Sequence, residues 1–273
     1  MQYKKLPDIR TLWIGGDLSR LEYICLNSFV KQGHNVYLYT YDTVGNVPPE
    51  VTILDAEEIL KRENIFTYGS VTGEGKGSYA GFANYFRYMM LLKNVNSFWV
   101  DADIIALRPF TLNQDIQVGK ESEEYINNAV IGIKNSNNYI LKELVEYCQN
   151  PFKIKRWDNY KFIIRKIIGR TIGKSSMNYL PWGVTGPKAL TGFCAKHSVN
   201  GENVEKYYPI SSDSWKDIFF TDNNTLDSEE LLLSSHGLHL WNEKLRREGI
   251  DKNTIFSDDS LYETLIKKLD LEA

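Results

Sequence analysis

Two acids separated by one residue, Asp101-Ala102-Asp103, close the apolar run Phe98-Trp99-Val100 and are followed at once by Ile104-Ile105-Ala106-Leu107. On a strand, residues i and i+2 project from the same side. The two carboxylates are therefore expected to converge on one hard cation, leaving positions open for phosphate oxygens. Apolar flanks on both sides place the pair at the carboxyl end of a buried strand, where open α/β sheets take their ligands. A merely solvated surface turn would use the same three residues, so context has to decide. Asn84 and Arg87 stand three apart in the helical pattern that feeds this strand, hence on one face, with Tyr88 beside them. Arg87 is permanently charged and forked, so it suits a phosphate, a carboxylate or Asp101 itself, although a plain surface arginine has the same spacing.

The elements that must position these groups read as alternating strands and helices. Residues 9–14 are expected as a first strand, released by Gly15-Gly16 into a helix whose Leu18, Leu21, Ile24, Cys25 and Phe29 recur at helical spacing, with Gly33 suited to its end. A strand over 35–41, a break at Val47-Pro48-Pro49, a short strand over 51–54 and a helix near 55–62 follow. Residues 64–78 contain Gly69, Gly73, Gly75 and Gly77 and read as a lid or flexible connection. Their G-x-G-x-G is weak evidence for a phosphate cradle, because no strand precedes it. A helix over 79–93 leads into the acidic pair; a strand at 129–133 and a helix at 139–148 come later. A final helix is expected to be capped by Ser257, with Asp258 and Asp259 in its first turn. The pattern is that of a nucleotide-binding α/β protein.

Composition narrows the function classes. The 273 residues, 42% of them apolar, can bury a substantial core, and a net charge of −3 argues against nucleic acid as the main partner. Cys25, Cys148 and Cys194 are odd in number and lie far apart in no ligand spacing, which suggests buried, reduced thiols and a cytoplasmic setting. Residues 1–8 contain no apolar stretch of signal length, and no apolar run reaches the about 20 residues of a membrane span. Charge is nevertheless uneven. Between Pro151 and Ser175 eight cations face the single acid Asp158 and are interleaved with Phe162, Ile163, Ile164, Ile167 and Ile168. Such a basic amphipathic helix can lie peripherally on an anionic bilayer, or it can be a solvated face packed on its own domain.

The segment Phe82-Ala83-Asn84-Tyr85-Phe86-Arg87-Tyr88 followed by Phe98-Trp99-Val100-Asp101-Ala102-Asp103 resembles the central signature of glycosyltransferase family 32, the GT-A enzymes with a DXD sugar-binding region. Trp13-Ile14-Gly15-Gly16 is similar to that family's first nucleotide-binding strand, Trp182-Gly183-Val184-Thr185-Gly186-Pro187 to its TGP segment, and His239-Leu240-Trp241-Asn242 to its terminal His-x-Trp motif. These matches run in order from about residue 9 to 252. The resemblance implies a single GT-A domain over 1–273, a mixed central sheet flanked by helices, in which the change of composition marks 151–180 as an inserted basic helical lobe.

It also implies a retaining α-glycosyltransferase that moves a hexose or N-acetylhexosamine from a UDP-sugar to a glycan or lipid-linked glycan in cell-surface polysaccharide synthesis, in the cytoplasm or on the inner face of the membrane. Asp101 and Asp103 would hold Mn²⁺ or Mg²⁺ against the donor diphosphate. His239 would join them as metal ligand or be a structural histidine; imidazole suits Mn²⁺ better. Arg87 would contact the donor. Trp13, Ile14, Asn84, Trp99, Asn128, Gly186 and Trp241 would line its site, with a core role equally open to Trp99 and Trp241. Asn84 departs from the family, which usually carries Asp there; an amide adds a donor and loses the charge, which alters the hydroxyl pattern it can read. No carboxylate identifies itself as a covalent nucleophile. Same-face attack is therefore the favoured route to retention, with Asn127 or Asn128 as a candidate to steady the oxocarbenium. The rival readings are a carbohydrate-binding or catalytically weakened homologue and, less favoured, a DxD phosphatase, against which the mid-chain position and Ile104-Ile105 speak.

Overall fold

The computed structural model describes residues 5–68, 77–220 and 228–272. Gly69, Gly73 and Gly75 of the glycine-rich stretch, part of the amino-terminal segment and the acids of 221–227 lie outside the described residues.

Six strands form the main sheet: β1 (Asp8–Trp13), β2 (Val36–Thr40), β3 (Thr52–Asp55), β4 (Ser97–Val100), β6 (Ile116–Lys120) and β7 (Ile126–Ile133). Their spatial order is β3-β2-β1-β4-β7-β6, parallel through the first four and antiparallel where β7 joins β4 and β6. The chain first winds outward from β1 to β2 and β3, then returns to the opposite side of β1 as β4. The order therefore reverses between β1 and β4, which is where open α/β sheets form a crevice beyond the carboxyl ends of their strands. β5 (Ile104–Ala106) pairs separately and antiparallel with β8 (Gly237–His239).

Both faces of the sheet are covered. On β4, Phe98 and Val100 enter the layer that holds α1 (Arg20–Lys31), while Trp99 enters the opposite layer with α2 (Ala80–Lys93), α3 (Tyr139–Gln149) and α5 (Pro187–Lys196). This alternation follows from the strand's period of two, and burial on both faces explains why the strand reads as continuously apolar. The architecture is the expected mixed α/β one, a central sheet flanked by helices. The three cysteines are buried and unpaired, and burial raises each thiol's pKa.

Four expectations are corrected. The helix near 55–62 is instead two 3₁₀ turns, Ala56–Glu58 and Arg62–Asn64. Leu60 N does reach Ala56 O at 3.1 Å, but Glu58 O accepts from the Lys93 ammonium and Asn64 N turns to Lys61 O, so the i to i+4 ladder does not propagate. The final helix is Leu261–Lys268, and its cap is Ser260, whose Oγ accepts from Glu263 N at 3.2 Å; Ser257 lies a turn earlier and offers its carbonyl to Ser260 N. The acidic pair is not on the strand: β4 ends at Val100, and Asp101-Ala102-Asp103 is a turn closed by Ile104 N on Asp101 O at 3.2 Å. Strand alternation therefore does not aim the two carboxylates. In the basic lobe, α4 (Tyr160–Thr171) buries Lys166 completely and leaves Ile164, Ile167 and Ile168 outside. Lys166 is thus removed from the cations available to a surface.

Candidate active site

Asp101 and Asp103 are positioned from opposite directions. The Arg87 guanidinium on α2 approaches Asp101 Oδ1 at 3.1 Å, and the Trp99 indole N–H donates to the same oxygen at 2.6 Å. Arg87 lies over the Trp99 ring, 4.7 Å from its centroid, and also donates to the main-chain carbonyls of Asn128 and, at 3.3 Å, Ala83. Arg87 is thereby fully engaged by the protein as a brace for Asp101. Because both contacts fall on Oδ1, the second oxygen of Asp101, whose side chain is 30% exposed, lies outside this clamp.

Asp103 is held from the carboxyl-terminal segment. β8 pairs Ile104 with His239, which brings His239 Nε2 to 3.2 Å from Asp103 Oδ2. Asn242 N donates to the same oxygen at 3.1 Å, and Leu240 N donates to Asp103 O at 2.9 Å. Trp241 adopts a left-handed backbone (φ 54°), stacks its ring 4.0 Å from that of His239 and spends its indole N–H on Ile210 O. That N–H is committed to the protein interior.

The electrostatics differ between the two acids. Burial and the neighbouring Asp103 charge raise the Asp101 pKa despite Arg87 and Trp99. Burial opposes ionisation of Asp103 as well, but the His239 charge and hydrogen bond and the Asn242 N–H outweigh it, so its pKa is lowered. Burial likewise works against a charged His239, and Asp103 overcomes it, raising the imidazole. Two acids share one turn with one guanidinium and one imidazole, so the four charges cancel when the imidazole is protonated and leave a single negative charge when it is neutral.

A polar network adjoins this turn. Asn128 Nδ2 donates to Asn84 Oδ1 at 2.7 Å, Asn84 Nδ2 to Thr185 Oγ1 at 3.3 Å, and the Tyr88 hydroxyl to Thr185 O at 2.9 Å. Gly186 fits here because a Cβ would stand 2.8 Å from Asn84 Nδ2 and 3.0 Å from Asn128 Nδ2. Asn84, Arg87, Asn128, Thr185 and Gly186, scattered over a hundred residues of sequence, are thus brought together. Asn127 is turned elsewhere: its amide donates to Glu121 and its carbonyl oxygen accepts from Ala129 N. Trp13 and Ile14 sit at the carboxyl end of β1, the other strand of the reversal, with the Trp13 indole N–H on Gly16 O at 2.7 Å.

Sequence reasoning missed Tyr208, whose ring packs edge-on to His239 at 5.8 Å and whose hydroxyl accepts from Val130 N. It also missed the Asn242 N–H on Asp103; a main-chain donor leaves no signature in side-chain identity.

A divalent cation fits this donor set in one mode. Hard carboxylate oxygens and an imidazole are present, and His239 Nδ1 is buried without a partner. Among the described residues no group of three His, Cys, Asp or Glu side chains is placed to hold a metal ion by itself. The fit is that of an ion shared between one or two carboxylates and the phosphates of a substrate.

No protein-family profile matches the chain, and no curated protein does. Among solved structures it is similar to one titled PaToxG glycosyltransferase, at 13% identity over 95% of this chain and 85% of that one, with a TM-score of 0.42. It is also similar to an apo structure of WbbM, titled a bifunctional glycosyltransferase, at 9% identity over 98% of this chain and 52% of that one, with a TM-score of 0.38. At such distance the likeness assigns no activity to this chain.

Proposed function

We propose that the protein is a metal-dependent, retaining α-glycosyltransferase of GT-A type, resembling glycosyltransferase family 32, that transfers a hexose or N-acetylhexosamine from a UDP-sugar to a glycan acceptor of cell-surface polysaccharide. One observation carries this reading. The Asp101–Asp103 turn follows the carboxyl end of β4, the strand beside β1 at which the sheet order reverses, so the acids border the crevice where an α/β sheet accommodates a nucleotide.

Asp101 and Asp103 would hold Mn²⁺ or Mg²⁺ together with the donor's phosphates, and the ion when bound supplies positive charge to the departing diphosphate. Arg87 and Trp99 keep Asp101 in place for that purpose, and Asn242 N and His239 keep Asp103. The amides of Asn84 and Asn128 and the Thr185 hydroxyl are buried and bonded to one another, a network that would shape the wall of the donor-sugar pocket. With no carboxylate marked as nucleophile, the acceptor hydroxyl attacks the anomeric carbon on the face the phosphate leaves, the sugar–phosphate bond breaks, and the hydroxyl proton passes to a diphosphate oxygen.

Incubation with UDP-Glc, UDP-Gal, UDP-GlcNAc and UDP-GalNAc tests the reading. Mn²⁺-dependent UDP release from at least one donor is expected, abolished by EDTA and by Asp101→Asn or Asp103→Asn. Release that survives either substitution at full rate, or no release from any donor, removes the assignment.

A further inference from the structure

Helix α4 is turned inside out. Its inner side presents Lys166, whose Nζ donates to Asp158 Oδ2 at 2.6 Å and to the Tyr147 hydroxyl and Lys153 O at 3.0 Å, with both charged side chains fully shielded. One turn on, Gly169 lies so close to Phe152 that a Cβ would meet its ring at 2.3 Å. The outer side carries Tyr160, Ile164, Ile167, Ile168 and Ile172, exposed by 69, 52, 48, 51 and 59%. These residues recur at helical spacing and form one stripe. Apolar burial alone would roll the helix half a turn; the interior ion pair and the glycine contact prevent it. The stripe is therefore a surface that the fold itself keeps outside.

Its charge says what covers it. Residues 151–175 hold eight cations and one acid in a chain of net charge −3, and that acid is used internally on Lys166. Lys161 and Arg165 border the stripe, and the flank bearing Arg170 opens on a cavity of about 580 Å³ that Lys153, Lys155 and Glu146 also line. A second copy would bring like charge against like. An apolar face edged by uncompensated cations matches an anionic lipid surface, isoleucines among the acyl chains and cations among the phosphates.

We infer that α4 seats this protein on an anionic bilayer through the Tyr160–Ile172 stripe. The inner Phe162 ring lies 4.2 Å beneath Lys188 of α5, whose first turn follows Gly186 and its contacts with Asn84 and Asn128. Docking thus ties the candidate active site to the membrane surface. On the transferase reading, and resting on it, the acceptor is a saccharide carried on a lipid.

Cosedimentation of the full chain with phosphatidylcholine vesicles, with and without phosphatidylglycerol, tests the contact. Binding is expected only with the anionic lipid. It should fall about tenfold or more in Ile164→Glu/Ile168→Glu and about fivefold for each cation lost in Lys161→Glu/Arg165→Glu. UDP release in solution and the far-ultraviolet circular dichroism of both variants should stay unchanged. The inference is overturned if the wild type ignores anionic vesicles, if the isoleucine variant sediments like the wild type, or if light scattering finds a dimer that this variant dissolves. Vesicle binding without UDP release from any donor would sink the transferase reading and leave the bilayer contact standing.

Discussion

At Asp101 a single oxygen receives both an indole N–H and a guanidinium, and the first of these contacts can be removed almost alone. Trp99→Phe keeps an aromatic ring in the core beneath Arg87 but deletes the 2.6 Å bond. On the transferase reading UDP release should drop about ten- to a hundredfold, the loss expected when a carboxylate that holds a metal loses the group that orients it. Urea unfolding should show only a small loss of stability. An unchanged rate would mean that Asp101 is positioned by Arg87 alone. The acidic pair itself was legible in the sequence, since few surface turns are framed by so many aliphatic residues. What aims it was not. The carboxylates are set by Trp99 two residues back, by Arg87 of the preceding helix and by His239 from 136 positions on, and only the first of these is local.

At the level of elements, periodicity served well where an element's own residues decide its shape. α1 and α2 start and stop within two residues of the expected positions, because their apolar stripes and the glycine after α1 are local signals. The stretch 55–62 failed because a distant side chain, the Lys93 ammonium, takes the Glu58 carbonyl that Arg62 N would have used in a helix. α4 was legible as a helix but not in its orientation, since one lysine among isoleucines reads as the polar side of any amphipathic helix. Lys166→Met should therefore cost roughly 3–5 kcal/mol by leaving Asp158 buried alone, whereas Lys166→Met with Asp158→Leu should recover most of that loss. Thermal melts of the two variants check this; equal destabilisation would show that the pair does not lock the helix. The TGP segment gives a second element-scale prediction. Gly186→Ala forces a methyl against Asn84 and Asn128 and should cost about 1–3 kcal/mol. Its donor KM should rise as the segment is displaced, and an unaltered KM would place the donor elsewhere.

For the molecule as a whole, the parallel half of the sheet was foreseeable from alternating strands and helices, but the antiparallel return of β7 and the docking of β8 on β5 were not. Both are long-range pairings that no window of sequence contains. One buried histidine couples such distant parts to pH. His34 Nδ1 lies 2.8 Å from Pro7 O, and Phe110 N donates to its Nε2 at 2.9 Å. Burial lowers its pKa below the ordinary 6.5, outweighing the Pro7 carbonyl and Asp8. The unfolded chain therefore takes up a proton that the folded chain refuses. This contribution to stability is fully present above about pH 6.5 and is lost as pH falls toward the lower folded value. Urea midpoints measured from pH 8 down to 5 should decline for the wild type and decline less for His34→Gln; parallel curves would exclude His34 as the cause.

His239 reaches Asp103 from 136 positions further along the polypeptide. During translation the acidic turn therefore leaves the ribosome long before its imidazole neighbour, and nascent chains spend that interval with Asp103 Oδ2 lacking the group that faces it in the folded protein. On the transferase reading, a message broken between the codons for Asp103 and His239 should yield a product that releases no UDP, because Asp103 then lacks both the imidazole and the Asn242 N–H that hold it.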